Sequence, residues 1–554
     1  MSRPNEETAG PGLDKVALTR RGLWKGAGIV AAAAAVGPAN FIPSLGAAEA
    51  ASDHPGYDPA FPPPGKQTAA DYPVSEATRK LSTYISTALA KPLPPAVVEK
   101  TKWHLLDTLA AIVAGSQVPT GPVSRNFVRA LGGKPVSTVI GSNLKTDPMT
   151  AALANGTMGH GHEVDDVGGA SGPWHPGINV VSAALALGEQ FDTGGEAFLR
   201  AIALGYDIGG RAGTAAGLLR NFRTPTVSVC GYFGAVAAAA GVAGLDEEQT
   251  RYALSYTVQQ SSGVDSFRRD PDHIEKGFLN GGMGARGGIT SVMLVLAGFT
   301  GVRDPFVGPA NFFALFRAAG QEVHPEFLTA GLGERYDIMV TGFKRRPVAG
   351  AISAVIDSLE VLLRRQRVNH EDVREILIRY EPNSVTDNSG AGDVNVQHAV
   401  ALMLVDGQLT FRSVHDRSRF QDPEFVRLRS IAKIAPVTIY VQSGKYEDPS
   451  IPGAAAKKFG SKVPVIELVL ADGTRLSQGD VPVRGEASNP YTREWIMDKA
   501  HSLMKPVLGV AQSRKLIERV MAIETSSARE IASLLRTKRE VTGAYSEWPA
   551  DTKM

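Results

Sequence analysis

VVEKTKWHLLDTLAAIVAGS, residues Val97–Ser116, decides the fold class. Apolar side chains recur at Val98, Leu105, Leu109 and Ile112, a helical spacing that predicts one buried stripe, and the glycine near its end, Gly115, reads as a stop. The theme repeats in NVVSAALALGEQF (179–191), GEAFLRAIALGYDIGGR (195–211), FGAVAAAAGVAG (233–244), EQTRYALSYTVQQSSG (248–263) and ITSVMLVLAGFTG (289–301). Small residues line these segments, so the helices can pack closely in a large bundle. The GLD and GFTG endings read as glycine C-caps.

The character changes after Gly342. VREILIRYEP (373–382), VTIYVQ (437–442) and VPVIELVLADGTRLSQG (463–479) alternate with period two, the last with a hairpin turn at Asp472–Gly473. Helical pattern returns from Tyr491 to about Lys538. The expectation is a mainly α protein: a large all-helical domain built from both chain ends, 76–337 and 488–540, with a smaller α+β lid domain, 338–487, inserted between them, and a tail at 541–554. No internal repeat of fixed period is present.

The start of the chain concerns destination. TRRGLWK (19–25) precedes an alanine-rich run, GAGIVAAAAAVG, with small-residue cleavage candidates near Ala48 and Ala50. Paired arginines before a mildly hydrophobic run predict a twin-arginine signal over residues 1–50, with the translocase as partner and a periplasmic destination. The run falls short of the ~20 apolar residues of a span, so no stable membrane insertion is expected. Residues 51–75, rich in Pro, Gly, Ala and Asp, read as a linker. A net charge of +2 gives no reason to expect a nucleic-acid partner. The single cysteine, Cys230, allows no internal disulfide and is expected to be a small buried residue.

The chemistry concentrates in NGTMGHGHEVDDVGGASGPWHPG, residues Asn155–Gly177, which holds His160, His162, Glu163, Asp165, Asp166 and His175. Buried polar groups must be bonded and buried charges paired, so this cluster has a structural or chemical purpose. Capping and packing, metal ligation, and acid/base catalysis compete. His160 and His162 are separated by one residue, about 200° apart on a helix, which is poor metal spacing.

These residues, with GYDIGGR, SVCGYFGAVAAAAGVAGLD, EKGFLNGGMGARGGITSVMLVLAGFTG and NVQHAVALMLVDG, resemble the MmgE/PrpD family from about Tyr84 to Leu535. The resemblance implies a homodimer, a helical domain with a smaller lid, and an active site between them. It also implies metal-free, cofactor-free loss of water or carbon dioxide from small polycarboxylates. On that basis His175 matches the loop histidine, and Lys276 and Lys344 match two active-site lysines. The departures are Glu163 in place of an aspartate, Val167 in place of the decarboxylases' threonine, Arg223 and Pro225 where an FHP segment would lie, and Ala349 in place of a histidine. The absent histidines argue against an activity identical to the family's cis-aconitate decarboxylase or 2-methylcitrate dehydratase members.

Abstracting a proton beside a carboxylate builds charge on an anion, so the reaction needs cations to hold the substrate and positioned acids and bases. His175 is the first choice for acid/base work, with Glu163, Asp166 and His160 around it. Lys276, Lys344, Arg223, His273 and Arg269 are the candidate substrate-binding residues. Arg268 and Arg269 could clamp a carboxylate, or form a surface loop paired to Asp270 and Asp272. Arg345 and Arg346 read equally well as a solvated basic turn. His398 has a capping or packing role as its alternative to function. Asp165 and Asp166 could orient imidazoles. Two rival functions stay open: a non-catalytic periplasmic carboxylate-binding protein, and a metal-dependent hydrolase using His160, His162 and the acids.

Overall fold

The computed structural model describes residues 73–168, 174–218, 228–308, 310–379, 387, 389–435, 464–479, 481, 483–485 and 489–538. The expected signal, all but the last residues of the linker, the tail, the 437–442 strand and Arg223 lie outside these. The described residues all belong to one compact unit, Thr68–Met554.

The chain is mainly α. Helices Pro176–Phe191, Gly195–Ala215 and Met283–Leu296 pack around the alanine-rich helix Val229–Ala243. Helix Arg493–Leu508 packs against Pro95–Gly115, and one apolar cluster joins Leu105, Leu109 and Val113 to Leu503, Leu516 and Ile531. The Val97–Ser116 stretch does not behave as a surface helix with one apolar stripe. Every residue from His104 to Gly115 is buried, while Val98 is only partly so. A helix apolar on most of its circumference goes to the centre. Gly115 is not a left-handed stop either. The cap, Ser116, is right-handed, and a Cβ at Gly115 would strike the Met158 carbonyl. Closeness between two helices, rather than termination, requires glycine here. Gly244 does end its helix in the left-handed region, at φ 68°.

The first stretch is not wholly helical. A two-residue antiparallel pair, β1 (Ser137–Thr138) with β2 (Lys145–Thr146), interrupts it. The second region contains a four-stranded sheet in the order β4-β3-β5-β6. β3 (Val373–Arg379) runs parallel to β4 (Ala432–Ala435) and antiparallel to β5 (Ile466–Leu470), which pairs with β6 (Arg475–Gln478) through a turn where Gly473 takes φ 84°. Helices Gly350–Arg365 and Val396–Asp406 share a separate apolar cluster with the sheet, from Val348 to Val483. Among the described residues no helix is long and apolar enough to cross a membrane.

Candidate active site

Glycines set the frame of the site. Helix Pro148–Gly159 is capped by Asp147, whose carboxylate accepts from the Thr150 N–H at 3.0 Å, and it ends at His160. KGFLNGG forms the end of a short helix, Ile274–Gly277, then a π-helical turn, Phe278–Gly282. A Cβ at Gly156 would lie 2.7 Å from the Gly281 carbonyl carbon, and one at Gly277 would strike the Thr157 carbonyl. Only glycines allow this approach, and it delivers Lys276 to the His160 loop. On the far side of the loop, Val167 and Gly342 exchange backbone hydrogen bonds at 3.0 and 2.9 Å. That bridge fixes Lys344, two residues on. His175 is the N-cap of helix Pro176–Phe191, with Pro176 in the first turn.

Glu163 lies at the centre. Its Oε1 is 2.6 Å from Lys276 Nζ and its Oε2 is 2.6 Å from Lys344 Nζ. Lys344 also reaches Asp165 Oδ1 at 3.1 Å. The other oxygen of Asp165 takes two imidazoles, His160 Nδ1 at 2.8 Å and His175 Nδ1 at 2.9 Å. Those rings lie 4.0 Å apart. Burial alone would raise the Glu163 and Asp165 pKa values, but the adjacent ammoniums and imidazoles reverse this and hold both carboxyls well below the usual range. Burial likewise opposes the Lys344 charge, yet the two carboxylates raise its pKa. At His160 burial wins, so its pKa falls well below the ordinary value. His175 Nδ1 also lies 2.8 Å from the Asp166 carbonyl, which leaves Nε2 as the nitrogen open to a ligand. The polar contacts of His175 among the described residues are all made by Nδ1, and the side chain keeps 18% exposure beside fully enclosed His160 and Asp165.

Residues 79–323 match the MmgE/PrpD N-terminal domain and residues 347–524 the MmgE/PrpD C-terminal domain. The chain belongs to the MmgE/PrpD family. It is 23% identical to a cis-aconitate decarboxylase-like protein of Aspergillus oryzae over 499 residues, 84% of this chain and 97% of that protein. It is 26% identical to a cis-aconitate decarboxylase of Aspergillus terreus over 380 residues, 62% of this chain and 74% of the relative.

Within this MmgE/PrpD site the candidates separate. Glu163, His160, His175, Lys276 and Lys344 converge. Asp166 turns its carboxylate away from His175. It accepts from the Tyr206 hydroxyl at 2.5 Å and the Gly177 N–H at 3.0 Å, and meets His104 Nδ1 at 3.0 Å. It positions the loop, and its backbone carbonyl rather than its side chain meets His175. His162 also faces away, with Nε2 on the Ala111 carbonyl at 2.8 Å and Nδ1 accepting from the Val164 N–H at 3.2 Å. The close group with metal-ligand character is instead His160, Asp165 and His175, whose ligand atoms lie within 4.8 Å of one another.

His273 lies one turn before Lys276 and faces Asp393, 3.5 Å away. Arg268 binds Asp265 at 2.9 Å and Arg269 is exposed. The expected pairing of these arginines with Asp270 and Asp272 is not observed. Asp270 accepts from the Glu275 N–H at 2.6 Å, and Asp272 pairs with Arg417. Arg345 and Arg346 are not a solvated turn, since both bind Glu360 and Asp357. His398 stacks on Phe420 at 4.2 Å, and its buried ring nitrogens have no hydrogen-bond partner among the described residues, so it is a packing residue. Cys230 is buried, and burial pushes its thiol pKa up.

The sequence reading missed Asp393 and His415, 3.4 Å apart, and the His104–Asp166–Tyr206 support. It also missed the buried Lys499–Asp107 pair at 2.7 Å, whose lysine donates to the Val164 carbonyl. Apart from Asp166 and Val164, none of these residues sits in the 155–177 loop, and only their types hinted at a role.

Proposed function

We propose that this protein is a lyase acting on a small polycarboxylate: it removes a proton next to a carboxylate and expels water, or it expels carbon dioxide and protonates the carbon left behind. The observation that carries the reading is the buried assembly in which two lysines converge on Glu163 while His175, braced by Asp165, leaves Nε2 open. A substrate carboxylate would compete with Glu163 for Lys276 and Lys344. His175 Nε2 would take the proton on carbon as the double bond forms and the carbon–oxygen bond breaks. An acid then protonates the departing hydroxide, so substrate gives alkene and water. The relatives named cis-aconitate decarboxylase support the carboxylate class. Lys344 opens the α/β region, so we read residues 338–487 as a lid whose closure completes the site and excludes water. No metal or cofactor enters this scheme. We further propose a homodimer, export through the Arg20–Arg21 signal to the periplasm, and small carboxylates as the ligands.

The test is NMR detection of products across di- and tricarboxylates and hydroxyacids, with His175→Ala as control. That variant should lose about 10²–10⁴ in kcat with little change in binding. Wild-type kcat in His175→Ala would remove the assignment, and a panel in which nothing binds would remove the lyase reading. One observation favours a second reading. His160, Asp165 and His175 could hold a transition metal. Stoichiometric metal in purified protein, lost with activity on chelation, would install it. Binding without turnover would favour a carboxylate-binding role instead.

A further inference from the structure

Asp393 is buried and its Oδ2 has no hydrogen-bond partner among the described residues, yet two imidazoles face it. His273 Nδ1 lies 3.5 Å away and His415 Nε2 3.4 Å away, ion-pair distances that are long for hydrogen bonds. His415 Nδ1 is held by the Phe411 carbonyl at 2.6 Å. His273 differs, because its one polar contact among the described residues is made by Nδ1, to Asp393, and none by Nε2. Among the described residues His273 is one of three non-glycine residues with positive φ, at 57°. That conformation is costly and persists only where surroundings impose it. Here Asp270 accepts the N–H groups of Glu275 and Lys276, and the Gly277 N–H bonds the His273 carbonyl at 3.0 Å.

The cluster belongs to the same site. His273 lies three residues before Lys276, the partner of Glu163. Asp393 is close enough to Glu163 to act on its ionisation, and a row of rings at 5.3 and 4.4 Å runs from His415 through Phe411 to His162, on the back of the same loop. Asp393 and His415 come from the α/β region and His273 from the helical one.

Resting on the lyase reading, we infer that His273 is the second proton-transfer group, with Asp393 and His415 as positioning residues. Its Nε2 gives a proton to the departing hydroxide, or to carbon where carbon dioxide leaves, while His175 acts from the Asp165 side. For loss of water the two steps balance: one imidazole gains the proton that the substrate carbon loses, and the other yields the proton that makes water. Where carbon dioxide leaves instead, the electrons of the broken carbon–carbon bond take up the proton that His273 gives, and no proton is abstracted. The long contacts to Asp393 would shorten as substrate draws the two regions together.

The experiment uses the full chain labelled with ¹⁵N-histidine and propane-1,2,3-tricarboxylate, an analogue with no hydroxyl to lose. Resonances are assigned with His175→Gln and His273→Gln. The Nε2 signals of both histidines should shift on binding. Asp393→Asn should change the His273 tautomer signal, leave affinity within about threefold and lower kcat on any substrate found by about 10–100-fold. A His273 signal that stays still while His175 moves would overturn the inference and leave the lyase reading intact. So would wild-type kcat in both His273→Gln and Asp393→Asn. If neither histidine responds and no carboxylate binds, the lyase reading falls and this inference falls with it.

Discussion

Asp165 and Asp393 each lie between two imidazoles, but they are built differently. Around Asp165 the contacts are 2.8 and 2.9 Å, and both histidines come from the loop that carries the carboxylate. Around Asp393 they are 3.5 and 3.4 Å, and the imidazoles arrive from residues 273 and 415. Chain connectivity keeps the members of the first group close together, while Lys344 and the Val167–Gly342 bridge hold the loop that carries them. The second group depends on two separately cored regions meeting, so its geometry is the one that can tighten or loosen. Lys344 is the link between them. It lies four residues before Val348, the first residue of the α/β region's core, yet it bonds to Glu163 and Asp165 of the loop.

Removing that link should have the largest effect. Lys344→Met keeps the volume but leaves two buried carboxylates with one cation fewer. Breaking one side of a buried ion cluster costs about 3–5 kcal/mol. Urea unfolding should show this loss, and Lys344→Met with Glu163→Gln should recover part of it. A loss under about 0.5 kcal/mol would mean that water reaches the cluster.

Acid should act next, and on the loop rather than the seam. Burial holds His162 near pKa 3 and His104 near 4, so the folded state keeps both neutral. A lowered histidine pKa gives stability that is complete above the ordinary 6.5 and is lost as pH falls from there towards the folded value. The depressed carboxylates Glu163 and Asp165 work lower, since their contribution is present above about pH 4 and lost only beneath it. Asp107, pushed up to about 6 by burial, has the opposite sign. Its contribution is present below about 4 and lost as pH rises through 6, so it offsets part of the histidine loss. Unfolding free energy should therefore drop between pH 6.5 and 4, by up to about 1.4 kcal/mol per pH unit for each imbalanced proton. His162→Gln, which can still donate to the Ala111 carbonyl, should flatten that slope. An unchanged slope would show that His162 protonates without opening the fold.

This contrast also explains what the chain revealed on reading. The loop was legible because its chemistry is contiguous. One stretch holds His160, Glu163, Asp165 and His175, and the lysines followed from the family resemblance. Within it the side chains' directions were not legible. His160 and His162 look equivalent, yet one meets Asp165 and the other the Ala111 carbonyl, because tertiary packing on the Pro95–Gly115 helix decides. That helix misled for the same reason. Its spacing suggested a half-exposed face, but from His104 to Gly115 neighbours cover it all round. Asp393 and His415 carried no local signal, since nothing in AGDVN or FRSVH announces a partner more than a hundred positions away.

Arg269 gives the smallest expected effect and the finest test of the comparison. SFRRDPDH placed two arginines near His273, as a clamp would require. The structure commits Arg268 to Asp265 and leaves Arg269 exposed, while Asp272 spans the seam to Arg417. An exposed arginine with no ion pair among the described residues contributes little, so Arg269→Ala should change stability by less than about 0.5 kcal/mol. It should also leave KM for a carboxylate substrate unchanged. Arg417→Ala removes a contact between the regions without touching any titratable group of the site. If seam tightening supports turnover, it should lower kcat while Arg269→Ala does not. A tenfold rise in KM from Arg269→Ala alone would show that the 265–273 turn folds over bound substrate. The seam would then be a binding surface as well as a hinge.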